Sequence, residues 1–264
     1  MRRIVGVLRL LVAAVGVVAL VADFVYVLGF STFSSINYFS YFTQQSNMAN
    51  VVVLATAGVL LLVGRPEPGW FASVHALVST YVIVSGIVFG IIVAESASHD
   101  YRIEVPWSSQ VLHFVIPTFV LVDWVLGPDR PRVRWRVVSV VLVFPLVWGV
   151  YTIVRGADVG WYPYFFLDPA QVTWPGEFVL YNGIALGTIV GVVVALVALS
   201  HVRPHARGRL GGGPSSTTRT APPAVAGRGA AGRGGAGPGG AGQAVGSADG
   251  SSVGAGDPSA TRSR

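Results

Sequence analysis

A hydroxyl and an imidazole that together could open an ester lie within the most apolar stretches of this chain. Thr43 begins "TQQSNMAN", which runs directly into "VVVLATAGVLLLVG", and His113 stands in "VLHFVIPTFVLVDWVL". A threonine hydroxyl is a weak nucleophile until a neighbouring base takes its proton, and such a base works best when a third group orients it. Asp23, a carboxylate inside "VVALVADFVYV", is the candidate for that third role. On a helix, Thr43, Asn47 and Asn50 fall at i, i+4 and i+7 and share one face. That places the Asn47 amide one turn from the hydroxyl, as a candidate donor to an oxyanion. His75 and Asp123 form a second couple that could pair, as a structural bridge or a proton relay, and Asp123 is expected to bridge either to His75 or to a neighbouring helix's polar group.

The elements that must carry these groups are membrane spans. Of 264 residues, 52% are hydrophobic and 11% charged, against about a quarter charged in soluble domains. Crossing the hydrocarbon takes about 20 mostly apolar residues. Six segments qualify, roughly 4 to 30, 40 to 63, 71 to 94, 108 to 127, 136 to 154 and 177 to 200. The first has a basic start like a signal peptide, but its apolar run is too long and shows no clear small-x-small site, so it is expected to stay as a span. With about 1.5 Å of rise per residue, Asp23 lies about 10 Å, His113 about 9 Å and Thr43 about 5 Å below the outer ends of their helices. Those three share the outer layer, while His75 and Asp123 fall in the opposite one. Each residue alone has a bland use, since a threonine in a membrane helix commonly bonds the carbonyl one turn back. Their common depth is what suggests a site.

All 18 basic residues are arginine, a usage expected of a GC-rich bacterial genome. Arg2, Arg3, Arg9, Arg65, Arg130, Arg132, Arg134 and Arg136 mark one side of the bundle, and only Arg102 and Arg155 mark the other. By the positive-inside rule both termini are expected in the cytoplasm of a plasma-membrane protein. From 203 to 264 the chain is rich in Gly, Ala, Pro and Ser, with too few large apolar residues to offset the entropy of folding. It is expected to be a disordered cytoplasmic tail following a transmembrane domain over 1–202. The net charge of +6 fits orientation better than nucleic-acid binding, because no aromatic residues accompany the Arg-Gly pairs of the tail. With no cysteine and five widely separated histidines, neither a metal site nor another cofactor is expected.

Three blocks carry a resemblance: "YFSYFTQQSN", "VLHFVIPTFVLVDWVL" and "WGVYTIVRGADVGWYPYFFLD". In that order over six spans, the chain resembles the androgen-induced protein and androgen-dependent TFPI-regulating protein family of transmembrane threonine hydrolases. The resemblance implies an intramembrane nucleophile at Thr43 and a partner at His113, acting on fatty acid esters of hydroxy fatty acids. It also implies a substrate-covering loop over "WYPYFFLD", here Trp161, Tyr162 and Pro163 above all, although Trp and Tyr gather at membrane interfaces in any case. In the expected reaction Thr43 attacks a lipid-like ester, His113 accepts its proton, and water releases the acyl-enzyme. The rival expectation is a non-catalytic membrane protein that binds or senses a lipid, or a small transporter, with the polar stripe lining its cavity.

Overall fold

The computed structural model describes residues 1–31, 34–98, 105–128 and 130–202. The expected tail lies outside the described residues. The described residues belong to one compact unit, Met1–Arg209, and the fold is all-α. Six helical spans are long and apolar enough to cross a membrane: Arg2–Val27, Phe42–Leu62, Gly69–Ala94, Trp107–Leu126, Arg136–Val159 and Gly176–His201. This is a multi-pass membrane protein.

Helix α1 (Arg2–Val27) packs along α3 (Phe42–Leu62), and glycines permit the close approach. A Cβ at Gly58 would lie 2.9 Å from the Gly6 carbonyl oxygen. Without a hydrophobic drive between helices in lipid, such small-residue seams let dispersion contacts hold the pair. The remaining face of α1 turns Val7, Leu11, Val18 and Val25 outward, as a lipid-facing stripe should. Between these helices the chain makes a short α2 (Ser35–Ser40), and an extended Tyr41 breaks the single span expected from residue 40. Thr43 is therefore in the first turn of α3, where backbone N–H groups have no helical acceptor.

Helix α4 (Gly69–Ser98) is central and packs on α3, on the fourth span and on the last. The fourth span is α5 (Trp107–Gln110), a π-helical turn (Val111–Val115) and α6 (Ile116–Leu126). Pro117 accounts for the π turn, because it has no N–H to give the carbonyl of His113 and its ring crowds that turn. Gly86 of α4 faces the gap, where a Cβ would come within 2.7 Å of the His113 carbonyl oxygen. The fifth span is α7 (Arg136–Val140) followed by α8 (Val143–Val159), and α9 (Gly176–His201) closes the bundle. Helix α8 buries only Pro145, Thr152 and Gly156, and the space it leaves toward α3, α4 and α9 is the main cavity.

Candidate functional site

Asp23, Thr43 and His113 arrive from three different helices at one cavity of about 710 Å³. It falls within the roughly 300–1,000 Å³ usual for small-molecule sites. Valine, leucine, isoleucine and aromatic side chains form most of its wall. Thr43 is 6% and His113 9% exposed.

The π turn sets the histidine. His113 Nδ1 lies 2.9 Å from the Ser109 carbonyl oxygen and 3.1 Å from Ser109 Oγ, and the ring stacks on Phe89 with centroids 3.8 Å apart. A carbonyl can only accept, so Nδ1 carries the proton and Nε2 is left as the acceptor. That is the tautomer a general base needs. Thr43 Oγ1 stands 3.5 Å from the Tyr164 hydroxyl. No direct hydrogen bond joins Thr43 to His113 among the described residues; the two share a cavity whose catalytic contacts a substrate would have to complete.

Asp23 and Asn47 make other hydrogen bonds than the supporting contacts expected from sequence. Asp23 was expected to orient His113, but its oxygens accept from Gln44 Nε2 at 2.9 Å and Ser108 Oγ at 3.0 Å. Ser109, one turn before the ring, orients His113 instead. Asn47 was expected to point at an oxyanion, yet its amide nitrogen donates to the carbonyls of Thr43 at 3.0 Å and Leu112 at 3.4 Å. It ties α3 to the π turn and does not line the cavity. Within the outer loop, Pro163 lines the cavity, Trp161 packs edge-on to Tyr41 beneath the Arg155 guanidinium, and the Tyr162 ring fills the space left by Gly156. Tyr164, Phe166 and Leu167 also line it. Burial pushes the Tyr164 hydroxyl up to about 12. Tyr38, buried and beside the Asp23 charge, is raised as well.

The second polar layer differs from the expected His75–Asp123 bridge. Asp123 pairs with Arg9, Nε to Oδ2 at 2.8 Å, while His75 Nδ1 lies 3.1 Å from Glu67 Oε2. Arg9 NH1 approaches Glu67 Oε1 at 3.6 Å and so joins the two pairs. Glu67 comes from the loop between α3 and α4 and turns a 1%-exposed side chain into the bundle. Asp123 thus takes a guanidinium, a permanent charge with directed N–H donors, and His75 takes the Glu67 carboxylate. Among the described residues no cluster of three or more His, Asp or Glu could hold a metal ion.

Searches of known protein families, curated proteins and solved structures find no match to the chain.

Proposed function

We propose that the chain is an intramembrane hydrolase of lipid-like carboxylic esters, with Thr43 as nucleophile and His113 as base. The observation that carries this is the shared cavity: a buried threonine at a helix start and an imidazole whose Nε2 meets no hydrogen-bond partner among the described residues, both on the wall of a largely apolar chamber. The Thr43 oxygen bonds to the ester carbonyl carbon as its proton passes to His113 Nε2. The tetrahedral adduct then collapses, expelling the alcohol, which takes the proton back from His113. Water, deprotonated by the same nitrogen, frees the acid and restores Thr43. The apolar wall suits an acyl chain drawn from the bilayer, in keeping with the resemblance to the androgen-induced protein family. In this reading the protein sits in a bacterial plasma membrane with both termini in the cytoplasm, as the arginine asymmetry favours. Reporter fusions at the two ends should report the cytoplasmic side, and an active periplasmic phosphatase fusion would reverse the orientation.

A fluorophosphonate probe applied to detergent-purified protein tests the chemistry. Labelling and long-chain ester cleavage that both vanish in Thr43→Ala support the hydrolase. A protein that retains lipid yet neither labels nor cleaves leaves the cavity as a lipid-binding or transport site.

A further inference from the structure

The Tyr164 hydroxyl is the side-chain group that the fold brings to Thr43. It stands 3.5 Å from Oγ1 and faces the backbone of Phe42 and Thr43. Because α3 begins at Phe42, the N–H groups of its first turn lack helical acceptors and, with the helix dipole, favour an oxygen that carries negative charge. The phenol ring is caged. It meets Tyr41 edge-on at 6.0 Å and Trp148 at 5.9 Å, and stacks on Phe166 at 5.3 Å with 8° between planes. The hydroxyl is thereby fixed beside the nucleophile, with rotation of its O–H as its remaining freedom. Asn47 cannot serve in its place, since its N–H groups are spent on backbone carbonyls.

We infer that Tyr164 is the oxyanion-stabilising residue of the Thr43 site, a step that rests on the hydrolase proposed above. At rest the two hydroxyls stand 3.5 Å apart, with either able to donate to the other. As the Thr43 oxygen bonds to the ester carbon, the carbonyl π pair moves onto oxygen and the Tyr164 O–H turns to that oxygen. The phenol keeps its proton throughout. When the adduct collapses, the oxygen re-forms the carbonyl, and Tyr164 is ready for the same task in deacylation.

Tyr164→Phe keeps the ring and its cage and removes only the donor. The expected result is a fall in kcat of about 10²–10³-fold on a long-chain p-nitrophenyl ester, with KM and thermal stability little changed and fluorophosphonate labelling slowed in step. Replacement of Tyr164 by a fluorinated tyrosine, similar in shape but more acidic, should move the alkaline limb of the kcat profile to lower pH. A merely structural tyrosine would not shift that limb. An active wild type whose Tyr164→Phe variant keeps full kcat and labelling would remove Tyr164 from the mechanism and leave Thr43 and His113 in place. A wild type that neither cleaves nor labels would remove both. Should Tyr164→Phe fail to fold, the fluorotyrosine profile decides, and an unmoved limb overturns the assignment.

Discussion

Two buried polar layers divide this bundle, and they satisfy their groups in opposite ways. In one, Arg9, Glu67, His75 and Asp123 meet through ion pairs and fill the space between four segments. In the other, Asp23, Thr43 and His113 take neutral hydrogen bonds and border a cavity, and the buried Gln44 Oε1 beside them has no hydrogen-bond partner among the described residues. Charges closed upon one another hold helices in register; polar groups left around an empty space are arranged for something that enters it. In the proposed reading the ion-pair layer serves stability and the cavity layer serves ester chemistry.

The largest effect should come from breaking the second layer's chemistry without touching its fold. Thr43→Ala and His113→Ala should each lower ester cleavage on the order of 10⁴-fold or more, and the double variant should be no worse, because residues acting as one unit are not additive. Thr43→Ser should retain part of the rate. Thermal unfolding in detergent should barely move in any of them. Wild-type cleavage by both alanine variants would end the division of labour between the layers.

The ion-pair layer should respond in the reverse sense. Arg9→Met takes the guanidinium away from the buried Asp123 and Glu67 carboxylates, and such breaks cost about 3–5 kcal/mol, which would appear as a large loss of thermal stability in detergent. Labelling per folded molecule should be unchanged. Asp123→Leu removes the carboxylate that meets Arg9 Nε, whereas Asp123→Asn, which keeps a hydrogen-bonding acceptor, should be milder. Combining Arg9→Met with Asp123→Leu should cost less than the sum of the two. Simple additivity in that cycle would mean that the 2.8 Å pair is not coupled.

The two layers were also unequally legible in the sequence. Span count, all-α class and a common depth for Asp23, Thr43 and His113 followed from apolar length and rise per residue, because depth in a bilayer is a one-dimensional quantity. Azimuth is not. Asn47 shares a stripe with Thr43 at i+4, yet the stripe is wide enough for one to reach the cavity and the other the π turn. Arg9 read as an orientation marker because it lies near the basic start of α1, and Glu67, in "RPEPG", read as a loop residue; neither pattern reveals that both side chains fold inward. Tyr164 lay inside an aromatic block that an interfacial belt would explain equally well. Pro117 was the one local signal for the π turn that frames His113.

Filling the cavity separates its two uses. Gly149 lies on the wall, and a Cβ there would meet no atom within 4 Å, so Gly149→Phe should fold normally while taking the room of part of an acyl chain. Displacing two methylenes, at about 0.8 kcal/mol each, should weaken binding of a long-chain ether analogue by about 10-fold and spare a short-chain ester. Equal loss for short and long chains would show that the ring disturbs Thr43 or His113 rather than the chamber.

The smallest expected effect lies at high pH, where the cavity layer alone carries a caged phenol. Burial holds the Tyr164 hydroxyl up to about 12, whereas in the unfolded chain a tyrosine ionises near its ordinary value of about 10. The folded state therefore keeps a proton that the unfolded state surrenders first. Tyr164 contributes its full stability below the unfolded value, and that contribution is lost as pH rises from about 10 toward about 12. Tyr38 and Tyr41 are raised by burial too, so wild type alone cannot isolate one residue. The difference between wild type and Tyr164→Phe can, because the other phenols are common to both. Thermal unfolding followed across that window should show wild type falling more steeply than the variant, with parallel curves below it. Parallel curves throughout would mean that the phenol reaches water, and the cage around the Thr43 hydroxyl would then be open.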